Sequence, residues 1–397
     1  MKAPLAILAT PLWLVQLLTQ AKSFSANPLI GSRRLNRAGL HVGRLLLAHA
    51  IMRLRMAALS RGVDPAHREA WHRDGFVVLP GAIDAATVAR LRAEILASDV
   101  EVRECIQGDT LTHRMQLDPN ARPMLPLCSE VLERPTIARL LRFAAAKAHR
   151  PLAYVQTIRN NEIDDAAEDP QKTLHSDTFH PTMKSWLFLD DVDAAKGPFT
   201  YVPGSHRPTR ARLAWEYAKS IEIADGADRY SGNGSLRLTE DDRRAMGLPE
   251  PVAIAAAAGT LVVANTHGFH CRGRAAGRAS RTELWTLSRS NPFNPSPGLD
   301  LPFVDRLQHR ALGAWRRFED RRAERRGARS SWHVVDLPNT LRPLEDAATT
   351  GAIGGPVDAR KASSADGATV IDLAAARSDA ARPSGPDDDR ADEAKAA

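Results

Sequence analysis

The apolar positions of this chain fall into short runs closed by glycine and proline corners, not into long helical stripes. Phe76-Val77-Val78-Leu79 runs into Pro80-Gly81, and similar runs follow at 153–158 (AYVQTI), 185–189 (SWLFL), 197–203 (GPFTYVP), 251–257, 260–264 and 282–288. Short, β-branched or aromatic runs between turn residues predict strands. Helical spacing is confined to the flanks. Asp84 stands where it caps a helix with Val88, Leu91 and Ile95 on one face. Residues 130–148 and 302–329 predict two more helices. In the second, Arg316, Arg317, Arg321, Arg322, Arg325 and Arg326 interleave with Glu319, Asp320 and Glu324, the pattern of a solvated helix with i,i+4 ion pairs. The polar stretch 207–250 predicts loop, with a hairpin turn at Ser231-Gly232-Asn233-Gly234 that lacks the spacing of a phosphate loop. Many short strands without alternating helices indicate a jelly roll or barrel.

The ends of the chain differ from its middle. Residues 3–18 (APLAILATPLWLVQLL) are apolar but interrupted by Pro4 and Pro11, and a membrane-spanning helix needs about 20 apolar residues. A basic start without acids also fits a signal or transit peptide, although no clear A-x-A cleavage site follows. Leu35 to Arg61 mixes leucines with arginines. It predicts a helix that either packs on the body with its arginines in solvent or lies in a membrane interface. From Gly354 onward the chain is rich in Ala, Asp, Arg, Pro, Ser and Gly and has no aromatic residue, a disordered composition. The expected organisation is a basic helical extension at 1–63, a catalytic β domain with N-terminal helices at 64–300, a helical segment at 301–353 and a disordered tail at 354–397.

Charge sharpens this division. The chain carries a formal +7, yet residues 1–63 hold Lys2, Lys22, Arg33, Arg34, Arg37, Arg44, Arg53, Arg55 and Arg61 and no acid. The remaining residues therefore sum to −2. A nucleic-acid partner for the whole protein is not expected, whereas peripheral membrane contact through 1–63 is. Cys105, Cys128 and Cys271 are scattered and odd in number, which argues against a disulfide framework and for a cytoplasmic protein, at most peripheral at the inner face of the membrane. The bias to arginine and alanine suits a GC-rich bacterial source. Oligomeric state leaves no mark.

The candidate chemistry centres on His175-Ser176-Asp177. Side chains two apart on an extended segment point to the same face, so this imidazole and carboxylate can reach one ion. A second histidine completes a 2-His-1-carboxylate site, the ligand set of non-haem Fe(II) oxygenases, which leaves positions open on the metal. His267 and His270, in the stretch Gly259-Thr260 to His270, are the candidates. A lone His-x-Asp is weak evidence, since most such pairs are ordinary surface residues.

Four pieces make the signal specific: GFVVLPGAID (75–84), His175-x-Asp177, LDDVDAAKGPFTYVPGSH (189–206), and the late Gly-Thr-x₉-His followed by an arginine. Together, from about Asp74 to Arg289, they resemble the phytanoyl-CoA dioxygenase family of Fe(II)/2-oxoglutarate oxygenases. The resemblance implies a mainly β fold with flanking helices (α+β), a double-stranded β-helix (jelly roll, cupin-like). It implies His175, Asp177 and His270 as metal ligands, preferring His270 to His267 by its spacing from Gly259. By the same spacing it implies Arg281, over Arg278 and Arg274, for the far carboxylate of 2-oxoglutarate. An arginine suits that carboxylate because its fork donates two parallel hydrogen bonds. The implied cofactors are Fe(II), 2-oxoglutarate as co-substrate, and O2. The outcome is hydroxylation, since halogenation needs a small residue where Asp177 stands.

Softer candidates surround these. Gln156 and Thr157 stand on the preceding strand and are candidates for binding the co-substrate. Trp186, His180 and Arg272 are candidates for the substrate, with Trp186 better explained as a core residue. His206 is better explained as fixing the Gly204-Ser205 corner. Arg272, Arg274 and Arg278 crowd the segment before Arg281 and predict a cationic pocket mouth. With the basic N-terminus, they point to a small-molecule or lipid substrate, acyl or anionic. The alternatives are a non-catalytic jelly-roll binding protein, which has no need of the triad and the arginine together, and a cupin-like metalloenzyme that does not use 2-oxoglutarate.

Overall fold

The computed structural model describes residues 11–226 and 228–335 together with the backbone of 369–372. A short helix α1 at 11–17 leads to α2 (Arg33–Arg37), α3 (Leu40–Ala58) and α4 (Pro65–Arg73). The body opens with β1 (Phe76–Leu79), α5 (Ala85–Ala97), β2 (Val102–Gln107), β3 (Thr110–Gln116), α6 (Pro126–Glu133), α7 (Pro135–Ala144) and β4 (Leu152–Asn160). It continues through β5 (Met183–Phe188), β6 (Phe199–Tyr201), α8 (Arg210–Glu222), α9 (Arg229–Gly232) and α10 (Glu240–Ala245). Then come β7 (Val252–Ala255), β8 (Leu261–Asn265), β9 (His270–Arg272), β10 (Ala279–Ser288), α11 (Pro302–Glu324), β11 (His333–Val335) and β12 (Thr369–Asp372).

The strands form two sheets. The larger runs β1-β8-β5-β10-β4-β3-β2-β11 and the smaller β12-β7-β6-β9. Alternation along each strand of the large sheet sorts its side chains onto two faces. Met115, Val155, Leu187, Val263 and Leu284 face outward into a core shared with Leu91, Ile95, Leu140, Leu141 and Phe143 of α5 and α7. Tyr154, Trp186, Val262 and Trp285 face inward onto Phe199, Tyr201 and Ile254 of the smaller sheet. Each such large apolar side chain contributes roughly 1.5–3 kcal/mol on burial. This is the jelly roll with flanking helices that the strand pattern and the resemblance predict.

Three local expectations are corrected. Residues 130–148 are two helices, because Pro135 cannot donate to the preceding turn; α6 ends at Glu133 and α7 restarts with Pro135 in its first turn. The supposed loop 207–250 contains α8, α9 and α10, and Asp228 caps α9 by accepting from Tyr230 N and Ser231 N. The hairpin β2–β3 escaped the hydrophobic pattern because its polar residues are internally paired: Arg103 with Glu101 and Asp320, His113 with Glu104. Within the tail expected to lack structure, Thr369–Asp372 pairs in parallel with β7. The rest of 354–397, residues 336–353 and the first part of the apolar stretch (residues 3–10) lie outside the described residues.

The N-terminal extension packs on the body, with α3 against α7 and α8. Two of its arginines are buried rather than solvated. Arg55 donates from Nε to Ala146 O (2.6 Å), from Nη1 to Asn291 O (3.1 Å) and from Nη2 to Ser290 Oγ (2.9 Å). Arg44 donates to the carbonyls of Leu17, Thr19 and Ala21 and lies over the Phe179 ring, 4.4 Å from its centroid. His41 meets Glu216 at 2.7 Å, and Glu216 also pairs with Arg212. No helix among the described residues is long and apolar enough to cross a membrane. Arg55→Ala is expected to destabilise the protein by about 2–4 kcal/mol, because several buried carbonyls lose their donor together. An unchanged urea midpoint for this variant would show that α3 docks without it.

Candidate metal centre

His175 and Asp177 lie just before β5, on a segment held by main-chain bonds rather than within a regular strand. His175 N donates to His270 O and His270 N to His175 O, both at 3.0 Å. Asp177 N donates to Thr266 O at 2.8 Å and Ser176 N to Leu236 O at 2.9 Å. The reciprocal pair sets the two histidines directly opposite each other, with ring centroids 4.6 Å apart. One ligand atom from each of His175, Asp177 and His270 lies within 4.8 Å of the other two. Asp177 Oδ1 is 3.8 Å from His175 Nε2 and 3.9 Å from His270 Nε2.

The tautomers follow from the partners. His175 Nδ1 lies 2.7 Å from Thr173 O and His270 Nδ1 lies 2.9 Å from Gly268 O. A carbonyl only accepts, so each Nδ1 carries the proton and each Nε2 presents a lone pair. Both Nε2 atoms are buried without a hydrogen-bond partner. Burial drives His270 down to about 4, and burial together with the neighbouring His270 drives His175 well below the ordinary range. Burial pushes the Asp177 carboxyl up, but Lys184, His270, Arg289 and His175 outweigh it and hold it well below the usual carboxylate range. Two neutral imidazoles and a carboxylate with orphaned lone pairs are the donor set that fits a divalent iron ion.

The surroundings are cationic. Lys184 Nζ lies 2.7 Å from Asp177 Oδ2, an ion pair off the line of a directed hydrogen bond. Lys22, from the N-terminal extension, donates to the main-chain carbonyl of Asp177. Burial lowers Lys22 to about 8. Neither lysine was singled out from the sequence. Lys184 left a trace there, a charge at the start of a buried run (Met183–Phe188) and on the same face as Trp186.

The profile of the phytanoyl-CoA dioxygenase (PhyH) family matches residues 71–281, more than half of the chain. The chain belongs to this family. It is a non-haem Fe(II)/2-oxoglutarate-dependent dioxygenase, using Fe(II), 2-oxoglutarate and O2. No curated protein matches the chain. Among solved structures it is similar to the non-haem α-ketoglutarate-dependent epimerase SnoN of nogalamycin biosynthesis, at 21% identity over 58% of this chain and 82% of that one, with a TM-score of 0.39. HygX of Streptomyces hygroscopicus, crystallised with nickel, 2-oxoglutarate and hygromycin B, shows 15% identity over 57% and 86%, with a TM-score of 0.37. The carbocyclase SnoK, also of nogalamycin biosynthesis, shows 19% over 57% and 84%, with a TM-score of 0.37.

The other residues that the PhyH resemblance and the strand pattern singled out are spread more widely. His267 lies outside the cluster. Its Nδ1 meets Thr178 O, and its ring packs edge-on against His49 of α3, 4.7 Å away. Arg281 is buried on β10. Nε lies 3.3 Å from Glu283 Oε2, Nη1 donates to Gly197 O and Lys196 O, and Nη2 makes no hydrogen bond among the described residues. Gln156 faces the same interior, but its amide is engaged by Glu283 and Arg114. Thr157 is corrected: it points to the opposite face of β4 and meets Thr282 Oγ1 at 3.1 Å. Trp186 stacks on Phe199 at 4.3 Å, and Phe199 lies 5.9 Å from His270, so Trp186 stands one ring removed from the cluster. His180 is buried with Nδ1 on Pro181 O and is driven down to about 3 by burial. His206 is buried at the corner, but the expected hydrogen bond to it is corrected: Nδ1 has no partner among the described residues, and Ser205 Oγ and Gly204 O accept from Phe269 N and Arg207 instead.

The expected cationic mouth is also corrected. Arg272 pairs with Asp169, Arg274 with Glu168 and Arg278 with Asp164. All three guanidiniums are thus neutralised by one acidic stretch, and the positive field at the cluster comes from Lys22 and Lys184 instead.

Gly268 closes the turn between His267 and His270 against Tyr201, whose hydroxyl donates to Asn265 O. A Cβ at Gly268 would lie 1.8 Å from Tyr201 Oη, far inside contact distance. Gly268→Ala is therefore expected to displace His270 and to weaken Fe(II) binding at least about tenfold, roughly 1.4 kcal/mol. Equilibrium dialysis of Fe(II) under argon measures it, and wild-type affinity in a folded variant would show that the turn tolerates the methyl.

Proposed function

We propose that His175 Nε2, the Asp177 carboxylate and His270 Nε2 hold Fe(II), and that Arg281 receives the distal carboxylate of 2-oxoglutarate through its open Nη2. The observation that carries this reading is the convergence of three buried ligand atoms within 4.8 Å, two of them imidazole lone pairs without a partner. When bound, Fe(II) with 2-oxoglutarate supplies the activation of O2 for oxidation of a substrate C–H bond. The chain's own residues do the rest. Thr173 O and Gly268 O hold the ring protons on Nδ1 and keep both imidazoles neutral. Lys184 balances the Asp177 charge. Phe199 and Tyr201 pack against the His270 ring and exclude water from that side. Segment 64–300 is the catalytic domain, and hydroxylation of a small organic molecule is its reaction.

The substrate or its activated form is anionic in this reading. Lys22, Lys184 and Arg289 all act on Asp177, and one carboxylate does not neutralise three cations. Three buried cysteines, none of them in a disulfide among the described residues, accord with a cytoplasmic setting. The N-terminal extension adds a membrane-surface contact. Leu12, Leu14, Val15, Leu18, Leu46, Leu47 and Leu54 are exposed, beside the exposed Arg34, Arg37 and Arg53, and no acid interrupts the segment. Leucines in the headgroup boundary with arginines on anionic phosphates suit that interface.

Two experiments test these assignments. Anaerobic Fe(II) loading followed by 2-oxoglutarate is expected to give the weak visible charge-transfer band of a 2-oxo acid on iron. His270→Ala should abolish it, His267→Ala should retain it, and Arg281→Ala should need roughly 10–100-fold more 2-oxoglutarate, the effect of losing a charge-assisted pair. A folded, iron-loaded wild type without the band would instead favour the cupin-like alternative. Separately, the full-length protein should co-float with vesicles containing phosphatidylglycerol at low salt and be released as salt rises. Failure to float with them at low salt would remove the membrane contact.

A further inference from the structure

Helix α11 lies across the inner face of the β2–β3–β4 end of the large sheet and encloses a cavity of about 610 Å³, within the size range of small-molecule sites. Its floor is Arg114, Gln116 and Tyr154; its walls include Leu312, Trp315 and Trp332. The sequence pattern explained the arginines of α11 as solvated i,i+4 partners. Arg316 departs from that: it turns inward, donating to Gln116 Oε1 and approaching Tyr154 Oη at 3.4 Å.

Two guanidiniums converge here, and neither is in an ion pair with a carboxylate among the described residues. Arg114 lies between two indoles, 3.9 Å from the Trp285 ring centroid and 4.3 Å from that of Trp332. Both Arg114 and Arg316 approach the Tyr154 ring, at 5.6 and 5.8 Å from its centroid. Arg114 uses only Nε, on Gln156 Oε1 at 2.7 Å; its two terminal nitrogens make no hydrogen bond among the described residues. The acids of the cavity wall are otherwise engaged. Glu101 and Asp320 pair with Arg103, Glu319 with Arg322, and Asp118 caps the turn at Asn120 and Ala121. Glu283 acts on Arg114 and Asp320 on Arg316 only through space, so this half-buried pair of planar cations set among aromatic rings has no directly paired carboxylate among the described residues.

The cavity is joined to the metal cluster along two lines. One is polar and runs to Arg281, the proposed co-substrate arginine, not to the ligands themselves: Arg114 to Gln156, Gln156 Nε2 to Glu283 Oε1 at 2.5 Å, and Glu283 to Arg281. The other is aromatic. Tyr154 meets Trp285 at 5.5 Å, Trp285 stands opposite Trp186 in register, and Trp186 and Phe199 lead to His270.

We propose that the cavity beneath α11 is the substrate chamber, and that it takes a small molecule with an aromatic or other apolar body whose carboxylate or similar anionic group is held by Arg114 and Arg316. The assignment as substrate chamber rests on the metal-centre reading above; the anion site itself does not. α11 is then a wall of the site rather than a solvated appendage.

The test uses metal-free, full-length protein and 4-phenylbutyrate as the probe, with uncharged 4-phenyl-1-butanol as its comparison, by titration calorimetry. Phenylbutyrate should bind at least about tenfold more tightly than the alcohol, and Arg316→Gln and Arg114→Gln should each remove that preference. Arg322→Gln, on the exposed side of α11, should not. Binding should persist with saturating 2-oxoglutarate present. Equal binding of acid and alcohol, unchanged binding in Arg316→Gln, or no binding of the probe overturns the proposal. Mole-for-mole displacement by 2-oxoglutarate also overturns it, by placing Arg114 in the co-substrate site. If Arg114→Gln does not fold, Arg316→Gln decides alone. Probe binding by a protein that takes up no Fe(II) would retain the anion site and reject the metal centre.

Discussion

The pair of main-chain hydrogen bonds between His175 and His270 is the constraint on which the rest of this site depends. It joins a loop segment before β5 to the first residue of β9, and so makes neighbours of two residues far apart in the chain. Everything at the cluster follows from that contact. The rings face each other, their Nδ1 protons are held by carbonyls within the same two segments, and Asp177 reaches both because it lies two residues beyond His175. Main-chain bonds in a buried setting are costly to break, so the backbone holds the geometry of the three proposed ligands. A site held in this way needs little reorganisation on binding.

Charge is distributed with the same economy. Most arginines that look free in the sequence are neutralised locally, as Arg272, Arg274 and Arg278 are by Asp169, Glu168 and Asp164. Arg44 and Arg55 are buried on main-chain carbonyls and hold the N-terminal extension in place. Besides the exposed arginines of the N-terminal extension, positive groups gather in the interior and beneath α11: Lys22 and Lys184 beside Asp177, Arg281 beside Glu283, and Arg114 with Arg316. The interior of the two-sheet fold is therefore built for anions at several points, in keeping with a dianionic co-substrate.

The extension is part of the site. Lys22 bonds the carbonyl of a ligand residue, His49 packs on His267, and His41 completes the buried Arg212–Glu216 pair beneath the turn that leads to His270. The PhyH match begins at residue 71, so Lys22, His41 and His49 come from the part of the chain that precedes the matched stretch.

The sequence by itself determined the strand runs and the caps, because alternation and turn residues leave a local mark, and through the family resemblance it pointed to the jelly-roll class and to His175, Asp177 and His270 as candidate ligands, by His-x-Asp and by a histidine and an arginine at the family's spacing after Gly259. Local pattern misassigned 207–250 and missed β2–β3, where the polar residues that hide the periodicity are matched by partners distant in sequence. The fates of the cations were decided only by the tertiary structure. In sequence Arg272 reads as a pocket-mouth cation and Arg316 as a solvated helix residue, yet the first is paired with a buried aspartate and the second turns into a cavity. Thr157 and Gln156 are adjacent in sequence and sit on opposite faces of β4. Composition counts charges, but whether a charge is paired, buried or open depends on which segments the two sheets bring together, and those contacts join residues a hundred or more positions apart.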